Sequence, residues 1–201
     1  MPQKRTKSSF KYIAFEGIDG SGKSTQAALF VDYLRSKGFK VFFTKEPGGK
    51  INDIRNMLLD KKWPAKVELF LFLADRVLTS DMVRGKVEDG FMVVSDRSLY
   101  STLAYQGYGE GFDIEFLVKL NLFSTNGLKP DLIFCLDINL ETMKKRLNRF
   151  DAIESKSEPF FERVRSGYIE LSKRFDNFFL IDGEKSKEIV FEEIVNTWEN
   201  L

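Results

Sequence analysis

The sequence contains no histidine. Histidine titrates near neutral pH, which makes it the most common general base and a frequent zinc ligand. Its absence excludes Ser-His and Cys-His catalytic pairs and most zinc sites. Carboxylates, lysines and arginines are left to carry any chemistry.

Cysteine and long apolar runs are also scarce. The only cysteine, Cys135, lies in the apolar run LIFCL and cannot form an internal disulfide. We expect a small buried thiol, which suits a reducing cytoplasm. No apolar run approaches the roughly 20 residues that a membrane-spanning helix needs, so we expect no membrane association.

Neither sign of charge dominates. Lysine and arginine total 31, aspartate and glutamate total 30, and the net charge is +1. A balanced chain has no overall attraction to nucleic acid or to a membrane surface. Residues 1–10, MPQKRTKSSF, are basic and lack the apolar segment of a signal peptide, which predicts a disordered tail. An arm that binds nucleic acid is the less favoured interpretation.

Short apolar runs alternate with longer helical patterns over residues 11–201. This alternation predicts a single α/β domain with a doubly wound, five-stranded parallel sheet and helices on both faces. The predicted strands are 12–16, 40–44, 91–96, 131–137 and 178–182. The predicted helices are 23–37, 52–60, 64–85, 98–105, 113–125, 139–149, 158–175 and 186–199.

The stretch FEGIDGSGKST contains a complete G-x-x-x-x-G-K-[ST] motif between a predicted strand and a predicted helix. In this motif the glycines let backbone amides face phosphate groups, the lysine reaches the β and γ oxygens, and the hydroxyl binds magnesium. It predicts a nucleoside triphosphate site with Mg²⁺. The predicted nucleotide-binding residues are Gly17, Asp19, Gly20, Ser21, Gly22, Lys23, Ser24 and Thr25.

Three further stretches fall where the strand ends should converge. Glu46 opens the sequence EPGG after the second strand, and Asp96 and Arg97 follow the third. An aspartate at a strand end suits magnesium, so Ser24 and Asp96 are the predicted metal ligands. Arg97 suits a phosphate group. A plain Asp–Arg surface pair is the less favoured alternative.

Phe72 and Arg76 lie four residues apart and share one face of a predicted helix. An aromatic ring beside a guanidinium could hold a flat heterocycle. From the residues alone, however, Phe72 is more readily interpreted as a core residue, because the chain has 20 phenylalanines. Asp19 lies in the phosphate loop. It is either an exposed loop residue or the partner of a neutral or cationic group, such as a sugar hydroxyl.

Taken together, these residues resemble the thymidylate kinase family of P-loop nucleoside monophosphate kinases. The resemblance runs nearly end to end, and its motifs are FEGIDGSGKST, EPGG, LFLADR, DR-x-x-x-S-x-LAYQG, PDLIFCLD and FFERVRSGY. It implies transfer of the γ-phosphoryl group of ATP to dTMP in a cytoplasmic homodimer.

The resemblance also implies roles for residues that would bind dTMP. Phe72 would stack on thymine, and Arg76 would hydrogen-bond its carbonyl edge. Thr102 and Gln106 would lie near the base, and Tyr105 would pack where a ribose carries its 2′-hydroxyl.

Further implied roles concern the sugar and the phosphates. Asp19 would meet the sugar 3′-hydroxyl, and Arg55 and Arg97 would hold the dTMP phosphate. Asp96 would organise magnesium and the reacting phosphates, and Glu46 would support the same site.

Some family members carry an arginine inside the phosphate loop, where this chain has Gly20. The chain therefore resembles the class that supplies a catalytic arginine from a lid, expected around residues 146–158. Arg149 is the predicted catalytic lid residue, and Arg146 is the alternative. The expected catalytic set is thus Lys23, Asp96, Arg97 and Arg149.

Two alternatives to this activity stay open at this point. One is another deoxynucleotide or deoxynucleoside kinase of the same fold. The other is a nucleotide-binding relative without turnover, although such a protein should have lost a phosphate-binding or magnesium-binding residue. A guanine-reading N-K-x-D motif is absent from the sequence, which disfavours a GTP-dependent switch.

Overall fold

The computed structural model describes residues 10–147, 153 and 156–201. Within these residues, five strands form one parallel sheet in the order β2-β3-β1-β4-β5. The strands are β1 Tyr12–Glu16, β2 Val41–Lys45, β3 Met92–Asp96, β4 Leu132–Asp137 and β5 Phe178–Asp182.

Helices connect these strands and cover both faces of the sheet. They are α1 Lys23–Ser36, α2 Asn52–Asp60, α3 Ala65–Glu88, α4 Leu99–Thr102, α5 Ile114–Ser124, α6 Leu140–Arg146, α7 Glu158–Arg174 and α8 Lys187–Glu199. A π-helix, Leu103–Gly109, continues directly from α4. The predicted α/β class and five-stranded parallel sheet are confirmed.

Alternate residues of the central strand divide the core into two layers. Ile13 and Phe15 pack with Phe30 of α1 and Trp198 of α8 on one face, and Ala14 packs with residues of α3, α4, α5 and α7 on the other. Because a parallel strand covered on both faces has no polar side, all five residues of β1 are buried. The continuous apolar runs in the sequence follow from this arrangement.

The helix predicted over 98–105 differs from the structure. Only 99–102 is α-helical, and the π-helix follows it. Gly107 and Gly109 lie close against neighbouring side chains: a Cβ at Gly107 would come 2.4 Å from Ile114, and one at Gly109 would come 2.6 Å from Phe160. Close tertiary packing thus accompanies the wider turn, and helical periodicity does not report such packing.

The register of the sheet places the functional strand ends beside each other. Phe15 of β1 pairs with Asp96 of β3, and Lys45 of β2 pairs with the same Asp96. The connection after β1 leads toward one edge of the sheet, and the connection after β3 leads toward the other. Ligands of open α/β sheets bind in the crevice at such a switch point.

Two predicted segments lie wholly or partly outside the described residues. Residues 1–9 of the expected tail are among them. Phe10, the last residue of that expected tail, is instead 4% exposed and packs against Trp198 with the ring centres 5.8 Å apart, so Phe10 belongs to the core. In the lid region, residues 148–152, 154 and 155 are not described. Among the described residues, no helix has the length and apolar character to cross a membrane.

Candidate active site

The loop after β1 curls around the position where a phosphate chain would lie. Gly17 adopts φ 135°, and a Cβ there would come 2.5 Å from the carbonyl oxygen of Leu136, so glycine is required. Gly22 adopts φ 92° at the start of α1. The backbone N–H groups of the first turn of α1 carry the positive end of the helix dipole, which favours an anion.

Lys23 points back over this loop. Its Nζ lies 3.5 Å from the carbonyl oxygen of Ile18 and 3.5 Å from Oδ1 of Asp19. Burial, followed by the charge of Arg97, lowers the pKa of Lys23. Both contacts are long, so the ammonium group remains available to a phosphate oxygen.

Ser24 and Asp96, the predicted metal ligands, lie side by side. The Ser24 hydroxyl donates to Oδ2 of Asp96 over 2.5 Å. Oδ1 of Asp96 is buried and has no hydrogen-bond partner among the described residues. Mg²⁺ prefers oxygen ligands and usually takes only one or two protein carboxylates together with phosphates and waters. This pair fits such a site, and the described residues contain no cluster of three or more carboxylates or other strong ligands.

Asp19 is not an exposed loop residue: its side chain is 16% exposed and meets three partners. Oδ1 accepts a hydrogen bond from Arg97 and lies near Lys23, and Oδ2 accepts one from the Tyr105 hydroxyl over 2.7 Å. Burial by itself would raise the pKa of Asp19, but Arg97 and Lys23 outweigh it and lower the pKa to about 2. The aspartate is therefore a fixed negative charge between two cations.

Arg97 adopts φ 76°, a left-handed conformation that is uncommon for a side chain of this size. Its backbone is held on both sides: the N–H donates to the carbonyl oxygen of Phe15 over 2.9 Å, and the carbonyl accepts from the Ser95 hydroxyl over 2.7 Å. The guanidinium reaches the carbonyl oxygen of Gly17 over 3.2 Å and lies 5.1 Å from the centre of the Tyr105 ring. This conformation turns the arginine toward the phosphate loop.

Arg76 is 2% exposed and occupies the centre of a polar network. Nε donates to Glu46 over 2.8 Å, Nη1 donates to Thr102 and Asn121 over 2.6 Å each, and Nη2 donates to the carbonyl oxygen of Ser98 over 3.2 Å. Among the described residues, these bonds leave one Nη2 hydrogen without an acceptor. Burial raises the pKa of Glu46 to about 7, although Arg76 beside it acts in the opposite direction.

Phe72 lies one turn before Arg76 and is partly buried. It packs against the core cluster and also lines the cavity, so it is not a fully buried core residue. Leu59 and Ile153 line the cavity as well. Arg55 of α2 lies on the same wall, where its Nη1 donates to the carbonyl oxygen of Pro47 over 3.1 Å. This wall combines apolar surface with donors, as recognition of a nucleobase requires.

One cavity of about 300 Å³ collects most of the predicted residues. The predicted residues that line it are Asp19, Gly20, Lys23, Ser24, Glu46, Arg55, Phe72, Arg76, Asp96, Arg97, Thr102, Tyr105 and Gln106. Gly17, Ser21, Gly22 and Thr25 belong to the phosphate loop and the first turn of α1 without lining the cavity.

Of the two candidate lid arginines, Arg146 lies within the described residues. Arg146, at the end of α6, donates to the carbonyl oxygens of Gly20 over 3.4 Å and Gly183 over 3.1 Å, so it lies beside the phosphate loop. Arg149, the predicted catalytic lid residue, lies outside the described residues.

Four polar residues at the site were not predicted from the sequence. Ser98 and Asn121 bind Arg76, Ser101 lines the cavity, and Glu16 binds Ser98 and Ser101. Glu16 could have been found, because it ends β1 as Asp96 ends β3, and a carboxylate at the end of a buried strand needs donors. Nothing in the sequence indicates Asn121, which is brought in from α5 by tertiary packing.

Comparisons with known proteins agree on one family. A family model described as thymidylate kinase matches residues 15–194. The thymidylate kinase of Thermosipho melanesiensis is 43% identical over 188 residues, which cover 91% of this chain and 94% of the relative. That of Thermosipho africanus is 45% identical over 190 residues, with the same two coverages of 91% and 94%.

A solved structure gives the same result. The crystal structure of thymidylate kinase from Ehrlichia chaffeensis superposes with a TM-score of 0.77 at 29% identity. The superposition covers 94% of this chain and 97% of that one. The similarity therefore extends over the whole domain and is not confined to the phosphate loop.

Proposed function

This chain belongs to the thymidylate kinase family, and from that premise we propose how its residues carry the reaction of the family. The reaction is ATP-dependent phosphorylation of dTMP to dTDP. The observation that supports the assignment of residues most directly is that one cavity is lined by Lys23 of the phosphate loop together with Arg97, Phe72 and Arg76.

The acceptor needs no general base. The second pKa of a phosphate monoester is about 6, so dTMP is largely dianionic at neutral pH and is already a nucleophile. The difficulty is electrostatic, because this dianion must approach the phosphate chain of ATP. Positively charged groups that offset the repulsion and stabilise the transferred phosphoryl group supply the catalysis. A protein without histidine can therefore carry out this reaction.

On the donor side, Lys23 and the N-terminus of α1 would bind the β and γ phosphates. Ser24 and Asp96 would hold Mg²⁺, which adds positive charge between the phosphates when it is bound. The support for this site is the buried Oδ1 of Asp96, which has no partner among the described residues.

On the acceptor side, Arg55 and Arg97 would bind the dTMP phosphate. Phe72 would stack on thymine, and the remaining Nη2 hydrogen of Arg76 would donate to a thymine carbonyl, with Thr102 and Gln106 close to the base. Glu46 would hold Arg76 in place.

The sugar would lie near Asp19 and Tyr105, which already form a hydrogen bond. Asp19 would accept from the 3′-hydroxyl, and the Tyr105 ring would occupy the space that a 2′-hydroxyl needs. Arg149 would supply a further positive charge when the lid closes, since the phosphate loop has Gly20 in place of an arginine.

We also propose a cytoplasmic homodimer. Helices α3 and α5 each carry several large exposed apolar side chains: Val67, Phe70 and Val77 on α3, and Phe116 and Phe123 on α5, of which Phe123 is 81% exposed. Such apolar helix faces are typical of an interface between subunits. Sedimentation velocity should give a dimer for the natural chain and a monomer for Phe123→Glu with Phe70→Glu. A monomeric natural chain would contradict the assignment.

The test of the acceptor assignment is a panel of nucleoside monophosphates. With ATP as the donor, kcat/KM should be highest for dTMP among dTMP, dUMP, dCMP, dAMP and dGMP. The purine nucleotides should be used least, because the proposed base site offers one aromatic ring, that of Phe72, and one free donor, the remaining Nη2 hydrogen of Arg76. Comparable use of dAMP or dGMP would show that Phe72 and Arg76 do not form the base site.

A further inference from the structure

Glu16, the last residue of β1, has no role in the reaction as described above, yet it is fully buried beside the phosphate loop. Its carboxylate accepts four hydrogen bonds. Oε1 accepts from the backbone N–H of Ser98 over 2.8 Å and from the Ser98 hydroxyl over 2.7 Å. Oε2 accepts from the hydroxyls of Ser101 over 2.6 Å and Tyr168 over 2.9 Å.

These partners surround Arg97. Ser98 is the next residue along the chain, so its two bonds to Glu16 fix the peptide that follows the left-handed Arg97. The peptide before Arg97 is fixed by Phe15, the neighbour of Glu16. The end of β1 thus holds Arg97 from both sides, in a backbone conformation that an arginine would not readily adopt by itself.

Ser101 connects Glu16 to the guanidinium itself. Its hydroxyl hydrogen points to Oε2 of Glu16, so the oxygen is free to accept from Nη1 of Arg97, which lies 3.2 Å away. A hydroxyl has one hydrogen to donate, and the carboxylate determines where that hydrogen points. Glu16 therefore orients both the backbone and the side chain of Arg97 through neighbours.

We propose that Glu16 is a positioning residue for the acceptor phosphate, acting through Ser98, Ser101 and Arg97; this inference rests on the proposed binding of the dTMP phosphate by Arg97. The role requires a carboxylate. The backbone N–H must donate, and the three hydroxyls are arranged as donors to Glu16. A glutamine amide would place its own N–H donors against some of these groups, which would turn hydroxyls away and loosen Arg97.

The experiment is a double-mutant cycle on dTMP affinity, measured by isothermal titration calorimetry on the full chain. The proteins are the natural chain, Glu16→Gln, Arg97→Ala and the double variant. We expect Glu16→Gln and Arg97→Ala each to weaken dTMP binding by roughly tenfold or more, which is the scale of one charge-assisted hydrogen bond. Adding Glu16→Gln to Arg97→Ala should weaken it no further, because a residue that acts through Arg97 has nothing left to act on.

Three outcomes would each contradict part of this proposal. If the two effects multiply in the double variant, Glu16 does not act through Arg97, and the positioning role is wrong while the phosphate role of Arg97 stands. If Arg97→Ala binds dTMP normally, the phosphate role of Arg97 is wrong, and the role of Glu16 falls with it. An unchanged affinity in Glu16→Gln also overturns the positioning role.

A matched control separates positioning from general loss of stability. Asp131 accepts from the backbone N–H groups of Lys11 and Tyr12 over 2.8 and 3.0 Å, at the opposite end of β1. Asp131→Asn should lower the melting temperature and leave dTMP affinity within about twofold of the natural value, since this end of the strand lies away from the cavity. An equal loss of affinity in Asp131→Asn would show that Glu16→Gln reports only strand stability.

A milder variant covers the case in which Glu16→Gln does not fold. Tyr168→Phe removes one of the donors to Glu16 and keeps the aromatic ring, which packs against Tyr105 with the ring centres 6.4 Å apart. It should weaken dTMP binding by a smaller factor, and this effect too should vanish in the Arg97→Ala background. An effect of Tyr168→Phe that persists in that background would overturn the proposal.

Discussion

The two walls of the cavity hold their positive charges in different ways. On the wall that we propose for the acceptor, Arg76 is buried and makes four hydrogen bonds to the protein, three of them no longer than 2.8 Å. On the proposed donor wall, Lys23 makes two contacts of 3.5 Å with the described residues. The acceptor wall is organised before ligand arrives, whereas the donor wall keeps its charges available.

This difference corresponds to two tasks. Recognition of one base among several depends on donors held in a fixed geometry, because a wrong base then leaves a buried group unpaired. Phosphoryl transfer depends on positive groups that remain available to stabilise the charge that develops on the transferred group. Changes on the donor side should therefore lower kcat, and changes on the acceptor side should weaken dTMP binding.

The largest effect is expected at Asp96, where the donor wall meets the sheet. Asp96→Asn should lower kcat by roughly 10³-fold, the upper scale for removing one transition-state contact. The variant should keep its fold by circular dichroism and should still bind ATP without metal. If kcat and its dependence on Mg²⁺ stay near normal, Asp96 is only the structural partner of Ser24.

Arg149 should come next. Arg149→Ala should lower kcat by roughly 10²-fold or more, since arginines that stabilise the transferred phosphoryl group contribute at least that much in related enzymes. The dissociation constant of dTMP should stay within a few-fold, because an interaction made only on closure spares ground-state binding. Single-turnover kinetics and calorimetry separate the two quantities.

Arg146→Ala is the matched control for Arg149. Arg146 binds two backbone carbonyls beside the phosphate loop, so its loss should affect kcat less. A larger loss of kcat in Arg146→Ala would reverse the two roles. Normal kcat in both variants would mean that the lid supplies no catalytic charge.

On the acceptor wall, Arg76→Ala should raise the dTMP dissociation constant and leave the ATP KM nearly unchanged. Loss of a charged hydrogen bond costs about 1.5–3 kcal/mol, or roughly 10- to 150-fold in affinity. Titration calorimetry with each nucleotide distinguishes the two sites. A raised ATP KM with normal dTMP affinity would show that Arg76 contributes to the ATP site and not to the dTMP site.

Arg76→Ala also leaves the buried carboxyl of Glu46 without its partner, which should cost about 3–5 kcal/mol of unfolding free energy. The double variant Arg76→Met with Glu46→Gln removes the charges together and should recover most of that stability. Urea unfolding measures the recovery. Its dTMP affinity should remain low, and normal affinity in the double variant would show that Arg76 acts only through folding.

The smallest effect concerns selection between deoxyribose and ribose. Ribothymidine monophosphate should be a poorer substrate than dTMP, because we propose that the buried Tyr105 ring occupies the space of a 2′-hydroxyl. Tyr105→Ala should narrow the ratio of kcat/KM between the two substrates. Tyr105→Phe, which keeps the ring and loses the hydroxyl bonds to Asp19 and Arg97, should preserve that ratio. Equal use of both sugars by the natural chain would contradict this assignment.

The elements and the donor site could be predicted from local sequence. Strands β1 and β5 have the predicted bounds, and α2 spans the predicted residues 52–60, because buried strands and amphipathic helices have characteristic apolar patterns. The G-x-x-x-x-G-K-[ST] motif is contiguous, so its geometry follows from one turn between a strand and a helix. Lys23 and Ser24 could therefore be identified from the motif alone, without knowledge of residues far away in the chain.

For the proposed acceptor wall, the sequence predicted which residues take part but not the contacts between them. Phe72 alone was more readily interpreted as core, and it is partly buried against the cavity. Asn121 belongs to none of the sequence motifs, yet its Oδ1 accepts a hydrogen bond from Arg76, which lies 45 residues away in the chain. Such contacts depend on how α3, α4 and α5 pack, and no local pattern encodes that packing.

By itself the sequence determined the α/β fold, the phosphate loop and the absence of histidine-based catalysis, since each depends on residue type or on neighbours along the chain. Tertiary structure decided how the charges are used. Arg76 donates four hydrogen bonds to the protein. Arg97 adopts a left-handed conformation, and Glu16 is buried next to the residues that hold Arg97. The physical reason is that hydrogen bonds and burial depend on which atoms meet in space, and the atoms around these residues come from strands and helices far apart in the chain.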